Sequence, residues 1–436
     1  MTIANADMTS TEFFSAHWED RLKFVIGMMR ELSRQTNPQI LVDLYASRMK
    51  KIVGYDVSVS LSRRDLIQPY YRVTRSSTWR ESSNPWIDSK HLPVHQGGMF
   101  EEMIYKEEPT IIDDLQIPPG DPAAEYFQGM RSLFAIPLFD QGKSLNMVIT
   151  GSRQPNYYSR EHSPEFTWLS NLFGRVTHNL VLTEQLQRAY DVVDRELKVV
   201  ADIQHSLLPE TLPNIPGLQL AAHYATSQRA GGDYYDFFPL SDGRWGILIA
   251  DVSGHGTPAA VLMAVTHSIA HSYPGHPTRP GQMLSFINRH LAARYTNGNG
   301  TFVTAFYGMY DPVSRRIDYA CAGHGPPRIK RGTDGSLHSL DEARNLPLGI
   351  DADEEYQDQS AVLNPGDAVI FYTDGITETR NAAGELFGVQ RLDEVLTSCG
   401  CDAQVLIDKT LAAVDAFGGY LPATDDRTIL AARVLR

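Results

Sequence analysis

Residues 244–264 read RWGILIADVSGHGTPAAVLMA. The apolar run predicts a buried strand that ends at Asp251, where a glycine-rich loop begins. Thr257 and Pro258 are typical of a helix start, because Thr caps helix N-termini and Pro is favoured in the first turn. The stretch therefore predicts a strand, a loop that opens on an aspartate, and a helix that runs to about Ser272.

Three other aspartates also stand where an apolar strand meets a loop. Asp233 precedes an aromatic strand in AGGDYYDFF, Asp374 ends DAVIFYTD, and Asp425 precedes RTILAARV. Each has small or glycine neighbours, which allow backbone and water to approach closely. A single aspartate at a strand end is usually a turn former, so the prediction of a site depends on the set of four.

Carboxylates that converge repel one another unless they are protonated or share cations. No compact His or Cys set accompanies these four, and hard oxygen ligands favour Mg²⁺ or Mn²⁺ over Zn²⁺. Two such ions about 3.5–4 Å apart can share a water and lower its pKa towards about 7. The resulting hydroxide can attack a phosphorus atom, so the four acids predict a two-metal site for phosphate ester hydrolysis.

Seven motifs, in order, resemble the SpoIIE/RsbU-like branch of the bacterial metal-dependent PPM serine/threonine phosphatases. They are IQHSLLPETLPNIPGL, AGGDYYDFF, ADVSGHGTPAAVLMA, YACAGHGPP, LPLGI, YTDGITETRN and DDRTIL. The resemblance covers about residues 200–436 and implies a PPM-type α-β-β-α sandwich. It implies enzymatic hydrolysis of a phosphoserine or phosphothreonine, with a STAS-domain anti-sigma-factor antagonist as the protein substrate.

The same resemblance implies the ligands of two Mn²⁺ or Mg²⁺ ions. These are the catalytic residues Asp233, Asp251, Asp374 and Asp425, with the carbonyl of Val252 as a further metal ligand. Asp425 is preferred to Asp426 because it matches the first acid of the family's final motif. Asp236 is expected to support the ligands without touching the ions.

Residues 20–180 predict a separate α+β domain after a flexible tail at residues 1–19. Two amphipathic helices are followed by short strands, by the hairpin SLFAIPLFDQGKSLNMVIT with its turn at residues 140–143, and by a helix from about Pro164 to Leu180. This order predicts an antiparallel sheet with helices on one face. PTIIDDL and the hairpin resemble a GAF sensor domain, whose ligand the sequence does not identify.

Residues 181–208 contain no glycine or proline and predict a helical linker. The apolar positions follow a near-heptad spacing, and they are Leu182, Leu186, Ala189, Val193, Leu197, Val200, Ile203 and Leu207. Two interpretations stay open: one amphipathic helix packed on its own domain, or a coiled-coil-like linker that makes a homodimer. Pro209 ends the helix, and residues 209–436 are the predicted phosphatase domain.

Composition argues against several other classes. The chain has 436 residues, 39 basic and 52 acidic, for a net charge of −13, whereas nucleic-acid binders usually carry a basic surface. No apolar run reaches the length of about 18 residues that a membrane span needs. The N-terminus lacks the basic start and apolar run of a signal peptide, so a cytoplasmic protein without nucleic-acid partners is expected.

Rival interpretations fit fewer residues. A diguanylate cyclase signature requires Glu where Tyr234 stands. The stretch from Cys321 to Arg328 has one residue too many for a cysteine-phosphatase loop. The remaining alternative is a catalytically inactive pseudophosphatase, a GAF-regulated scaffold that binds its partner without cleaving it. His255 as a proton donor and Arg229 as a phosphate contact are weaker candidates, since loop-stabilising and surface roles also explain them.

Overall fold

The structure is a computed structural model that describes residues 13, 16–79, 86, 91–298 and 300–435. It divides into two compact units, residues 1–190 and 191–436. The predicted tail at residues 1–19 lies mostly outside the described residues, although a helix of the described part already begins at Trp18.

The N-terminal unit contains a six-stranded antiparallel sheet in the order β3-β2-β1-β6-β5-β4. Its elements, in chain order, are α1 (Trp18–Leu32), α2 (Pro38–Val53), β1 (Val57–Ser62), β2 (Tyr70–Ser76), β3 (Val94–Gln96), α3 (Gly98–Lys106), β4 (Thr110–Ile112), α4 (Ala124–Phe127), β5 (Ser132–Asp140), β6 (Lys143–Ser152) and the start of α5 (Ser163–His205). The predicted hairpin is confirmed: Asp140 pairs with Lys143, and Gln141 and Gly142 both have positive φ, as a two-residue type I′ turn requires.

Helices cover both faces of this sheet, so the prediction of helices on one face is wrong. On strand β5, Leu133 and Ala135 pack in a core with α3 and α4. The alternate residues Phe134 and Ile136 pack in a second core with α1, α2 and the first turns of α5. The reason is that β5 is apolar at successive positions, and such a strand needs cover on both sides.

Helix α5 runs unbroken for 43 residues. It joins the two stretches that the sequence analysis treats as a domain helix and a linker, and it ends four residues before Pro209. In its middle, the apolar side chains of Leu182, Leu186 and Val193 are exposed. This part of the predicted near-heptad seam therefore lies at the surface of the chain.

The C-terminal unit contains two five-stranded sheets, ordered β14-β11-β10-β9-β8 and β13-β12-β15-β16-β7. Its further elements are β7 (Leu218–Ala225), β8 (Tyr234–Pro239), β9 (Trp245–Val252), α6 (Thr257–His271), α7 (Pro280–Arg294), β10 (Val303–Asp311), β11 (Arg316–Ala322), β12 (Arg328–Lys330), β13 (Leu337–Ser339), β14 (Gln359–Val362), β15 (Ala368–Tyr372), α8 (Asp374–Thr377), α9 (Gly388–Ser398), α10 (Ala403–Phe417) and β16 (Arg427–Val434). The predicted helix at Thr257 is confirmed, although Gly256 holds the cap position and Thr257 is the first helical residue.

The two sheets pack face to face, with Phe306 of β10 against Phe371 of β15 at a ring-centroid distance of 5.7 Å. Helices α6 and α7 bury apolar side chains such as Met263 and Ile287 in the core that includes the first sheet. Helices α9 and α10 do the same on the second sheet through Leu392 and Leu406. The layers therefore follow the predicted order of helix, sheet, sheet and helix.

Candidate metal centre

Strand register brings Asp233 and Asp251 to the same end of the first sheet. Strands β8 and β9 are antiparallel, with Tyr234 opposite Ala250. Asp233 directly precedes β8, and Asp251 is the last residue but one of β9. The two aspartates therefore meet where one strand starts and its neighbour ends.

Asp374 and Asp425 meet in the same way on the second sheet. The N–H of Thr373 donates to the carbonyl of Thr428 at 3.0 Å, just beyond the paired ends of β15 and β16. A Cβ on Gly375 would lie 1.8 Å from the carbonyl oxygen of Asp426. Only glycine permits this approach, and it places the turn that starts at Asp374 directly against the segment that carries Asp425.

Asp233 connects the two sheets. Its side chain is buried, and Oδ2 accepts hydrogen bonds from the hydroxyl groups of Thr373 at 2.7 Å and Thr428 at 2.6 Å. Both threonines belong to the second sheet's strand ends. A carboxylate with two short hydroxyl donors on one oxygen has a fixed orientation, so Asp233 is a rigid member of the cluster.

Two glycines allow the segment before Asp233 to pack tightly. A Cβ on Gly231 would lie 2.2 Å from Oδ2 of Asp426, and one on Gly232 would lie 2.9 Å from the carbonyl oxygen of Val252. The N–H of Gly232 donates to Oδ2 of Asp426 at 2.6 Å, and the N–H of Ser227 donates to Oδ1 at 2.8 Å. Both carboxylate oxygens of Asp426 thus accept backbone hydrogen bonds from this segment. This arrangement is consistent with the preference for Asp425 as a ligand.

The carboxylates raise one another's pKa values. Burial raises the pKa of Asp233 and of Asp251, and repulsion from the neighbouring acids adds to it, including Asp233 and Asp374 acting on Asp251. Burial, and then the charge of Asp425, raise the pKa of Asp374. Burial also raises the pKa of Asp425. Four neighbouring acids with raised pKa values repel one another when ionised, and this repulsion costs free energy that a bound cation would offset.

Among the described residues, no Lys or Arg forms an ion pair with Asp233, Asp251, Asp374 or Asp425. The donors are all hard oxygens, and this set fits divalent cations such as Mg²⁺ or Mn²⁺. Within the described part of the chain, however, these four are not among the groups whose donor atoms lie within 4.8 Å of one another. The structure brings the four residues into electrostatic contact, and their assignment as ligands stays a prediction.

Comparison with known proteins finds similarity in this region. Residues 241–435 match the family model described as Stage II sporulation protein E (SpoIIE).

Curated relatives align with the same region. The chain is 32% identical over 194 residues to phosphoserine phosphatase RsbU of Bacillus subtilis, covering 44% of this chain and 57% of RsbU. It is 31% identical over 186 residues to phosphoserine phosphatase RsbP of the same organism, covering 42% of this chain and 45% of RsbP. The chain thus spans about half the length of these curated relatives. The solved SiaA-PP2C domain of Pseudomonas aeruginosa is 22% identical, covers 56% of this chain and 98% of its own, and gives a TM-score of 0.48.

Two residues that orient Asp233 were not predicted from the sequence. Thr373 and Thr428 each adjoin a predicted acidic motif, in YTDG and DDRT, and this position was the available signal. His324 was also missed. Its Nε2 donates to the carbonyl of Tyr372 at 3.1 Å, its Nδ1 lies 2.9 Å from the hydroxyl of Thr304, and burial lowers its pKa to about 4.

Three further expectations have outcomes in the structure. Asp236 does not support the ligands, because it contacts Tyr234 and helix α6 instead. Arg229 forms an exposed ion pair with Asp194 at 2.8 Å. His255 is exposed and lies 2.8 Å from the side chain of Gln228. The prediction for Asp236 is wrong because strand alternation turns it to the opposite face from Asp233.

Cys321 has the properties of a core residue of the C-terminal unit. It is buried, its Sγ donates to the carbonyl of His324 at 3.3 Å, and burial raises its pKa to about 11. A nucleophilic cysteine needs a lowered pKa and access to substrate. The geometry therefore agrees with the rejection of a cysteine-phosphatase loop.

In the described part of the chain, no helix combines the length and the apolar character needed to cross a bilayer.

Proposed function

We propose that the chain is a metal-dependent protein serine/threonine phosphatase that hydrolyses phosphoserine or phosphothreonine. The observation that carries the proposal is the convergence of four acids, without a basic partner among the described residues, in a unit whose residues 241–435 match the SpoIIE family model. RsbU and RsbP are named phosphoserine phosphatases, which supports the same reaction class.

Asp233, Asp251, Asp374 and Asp425, with the carbonyl of Val252, would hold two Mn²⁺ or Mg²⁺ ions. When bound, such a pair lowers the pKa of a shared water and neutralises charge on the phosphoryl oxygens. Thr373 and Thr428 keep Asp233 in one orientation. Gly232 lets the segment before Asp233 approach the carbonyl of Val252, and Gly375 lets the turn at Asp374 approach the segment that carries Asp425.

The test is release of phosphate from phosphopeptides and phosphoproteins by the full chain with Mn²⁺ or Mg²⁺. We expect turnover that a chelator abolishes and that thiol alkylation leaves intact, because Cys321 is buried. Asp374→Asn should remove the activity, and Asp341→Asn, a surface carboxylate paired with Arg344, should not. Tight binding of a phosphoprotein without turnover would favour the pseudophosphatase instead.

We propose a phosphorylated STAS-domain protein of the anti-sigma-factor antagonist type as the substrate. The support is the resemblance to the RsbU-like branch and the relation to RsbU and RsbP. The experiment compares kcat/KM for phospho-STAS proteins from the source genome with kcat/KM for unrelated phosphoproteins. A preference for a STAS protein of at least about tenfold, or 1.4 kcal/mol in the transition state, is expected. Equal rates on all substrates would contradict it.

We further propose that residues 20–180 are a GAF-like sensor domain and residues 181–208 a linker to a phosphatase domain at residues 209–436. The N-terminal unit holds a cavity of about 550 Å³ whose lining includes Tyr45, Arg75 and Trp79. Its volume suits a small molecule. A change in turnover on binding of a small ligand to the full chain would support a sensor role.

The end of α5 provides a route from the linker to the acids. Gln204 is buried, its Nε2 donates to the carbonyl of Gly231 at 2.6 Å, and its Oε1 accepts from the N–H of Gly231 at 2.9 Å. Gly231 is two residues before Asp233. A shift of the last turn of α5 would therefore move the segment that enters the acid cluster, and metal occupancy would change with it.

We propose a homodimer through residues 182–208. The support is the surface position of Leu182, Leu186 and Val193, since a long apolar seam in water favours pairing. Light scattering on the full chain should give twice the mass of the protomer. Leu186→Lys combined with Val193→Lys should give the protomer, and the matched exposed substitution Gln185→Lys should not. A monomeric wild-type chain at micromolar concentration would contradict the dimer.

A further inference from the structure

Helix α6 carries two histidines, one turn apart, that face strand β8. His267 and His271 are at i and i+4, so their side chains lie on the same face of the helix. Nε2 of His271 lies 2.7 Å from Oδ2 of Asp236, and Nδ1 of His267 lies 3.0 Å from the hydroxyl of Tyr234. One donor atom from each of Asp236, His267 and His271 falls within 4.8 Å of the other two.

This cluster is separate from the candidate metal centre. Successive side chains of a strand point to opposite faces. Asp233 points to Thr373 and Thr428 of the second sheet, whereas Asp236, three residues later, points to α6. The two clusters therefore lie on opposite sides of the first sheet.

We propose that Asp236, His267 and His271 form a second cation site that takes a divalent first-row transition metal. Two imidazoles and one carboxylate are a donor set that Zn²⁺, Co²⁺, Ni²⁺ and Fe²⁺ accept readily and that Mg²⁺ does not prefer. Three protein ligands with a fourth position for water are the usual composition of an open transition-metal site.

The burial of the three residues suits this role. Asp236 is buried, and no Lys or Arg among the described residues pairs with it. Its carboxylate is hydrogen-bonded by the hydroxyl of Tyr234 at 2.6 Å, the N–H of Phe237 at 2.7 Å and Nε2 of His271 at 2.7 Å. Burial and then the neighbouring His271 lower the pKa of His267, which favours the neutral form that binds metals. The side chain of His271 is 47% exposed, so an ion and its water have access.

Small movements would complete the coordination. Tetrahedral ligands at about 2.0–2.1 Å from an ion lie about 3.4 Å from one another. The 2.7 Å pair of His271 and Asp236 would have to open by about 0.7 Å, and donor atoms as far apart as 4.8 Å would have to close by about 1.4 Å. An imidazole that binds a metal through Nε2 carries its proton on Nδ1, so the proton that His271 shares with Asp236 would move to Nδ1 on binding. Tyr234 continues to hold Asp236, as the outer hydrogen-bond partners of metal ligands do.

The site also connects two elements of the C-terminal unit. Asp236 lies on the strand that follows Asp233, and α6 follows the loop that begins at Asp251. A bound ion would fasten α6 to β8 and should raise the melting temperature of the chain. This inference does not depend on the proposed function, since it concerns other residues and another metal class.

The experiment titrates the untagged full chain with Co²⁺ in the presence of millimolar Mg²⁺. We use Co²⁺ because four-coordinate Co²⁺ absorbs strongly in the visible. One Co²⁺ per chain with that absorption, displaced by Zn²⁺, is expected. The signal should persist in Asp374→Asn, because that substitution acts on the other cluster.

His271→Ala and His271→Gln should each weaken Co²⁺ binding at least about tenfold, because loss of a direct ligand should cost no less than loss of an outer hydrogen-bond partner. The glutamine variant keeps a hydrogen-bond donor for Asp236, so loss of binding without loss of folding separates coordination from structure. His290→Ala is the matched control, as an exposed helical histidine bonded to the carbonyl of Phe286. Unchanged Co²⁺ binding in both His271 variants, or no Co²⁺ binding in Asp374→Asn, would overturn the proposal.

Discussion

Asp233, directly before strand β8, and Asp236, within that strand, have different surroundings. Asp233 faces the second sheet, where two threonine hydroxyls fix it among three other acids. Asp236 faces helix α6, where a tyrosine hydroxyl and two imidazoles surround it. The same residue type thus occurs in two clusters. Asp233 belongs to the acid cluster, whose donor atoms are all oxygens, and Asp236 belongs to the Asp-His-His cluster, which has nitrogen and oxygen donors.

The difference shows that the partners, and not the aspartate, decide the chemistry. The acid cluster around Asp233 carries excess negative charge and offers only oxygen donors. Such a set of ligands favours hard cations such as Mg²⁺. The Asp-His-His cluster has imidazole nitrogen donors, which favour transition metals. If this contrast is correct, substitutions in the acid cluster, here called the inner cluster, should change Mg²⁺- or Mn²⁺-dependent turnover. Substitutions in the Asp-His-His cluster should instead change the binding of a transition metal.

The largest effect is expected for Asp374→Asn. This change removes one charge from the inner cluster and leaves the shape of the side chain almost intact. Loss of a direct ligand should lower kcat by more than the roughly 10–100-fold that outer hydrogen-bond partners produce. Steady-state kinetics with saturating Mn²⁺ measures it. A kcat within a factor of about two of the wild-type chain would refute the inner cluster as the metal site.

A smaller effect is expected for Thr373→Val and Thr428→Val, which keep the shape and remove the hydroxyl donors to Asp233. Each should lower kcat or metal affinity by roughly 10–100-fold. The double variant should be less than additive, because both hydroxyls act on the same oxygen. Thr410→Val is the matched control, since its buried hydroxyl bonds to Leu406 within α10. Equal losses in Thr410→Val would assign the effect to stability and not to Asp233.

Gln204→Ala should act more weakly, through the segment that leads into β8. The variant leaves the N–H and carbonyl of Gly231 without their partner, at a cost of about 1–3 kcal/mol. We expect the concentration of Mn²⁺ for half-maximal turnover to rise about tenfold, with little change in kcat at saturation. Gln404→Ala, on the surface of α10, is the control. An unchanged metal requirement would separate α5 from the acid cluster and remove the proposed route of regulation.

Local patterns in the sequence were sufficient for the long apolar strands such as β9, β10 and β15, and for the positions of the four acids at strand ends. The run before Asp251 and the turn at residues 140–143 are decided by neighbours in the chain, so they could be predicted. The cover on both faces of β5 was also available, because SLFAIPL is apolar at successive positions, a pattern that one-sided packing does not explain.

Contacts between distant segments could not be predicted in this way. Asp426 is distinguished from Asp425 by its carboxylate, which accepts from the backbone N–H groups of Ser227 and Gly232, about 200 residues earlier. The pairing of Asp236 with His271 depends on where α6 crosses β8. The i and i+4 spacing of the two histidines is evident in the sequence. It does not predict a cluster with Asp236, because the sequence does not show which strand this helix face packs against.

The smallest effect is expected for Arg229→Ala, and it tests which contact between α5 and the segment before β8 is important. Arg229 and Asp194 are both more than half exposed, at 58% and 53% of their side-chain surface. Such pairs contribute about 0–1 kcal/mol and are weakened by salt, whereas Gln204 is buried. Kinetics of Arg229→Ala should therefore stay within about threefold of the wild-type values for kcat, KM and Mn²⁺ requirement. A large rise in KM with an unchanged metal requirement would instead assign the guanidinium to the substrate phosphate. In that case Arg229 leaves Asp194 when substrate binds, and Asp194→Ala should lower KM, because it frees the same guanidinium.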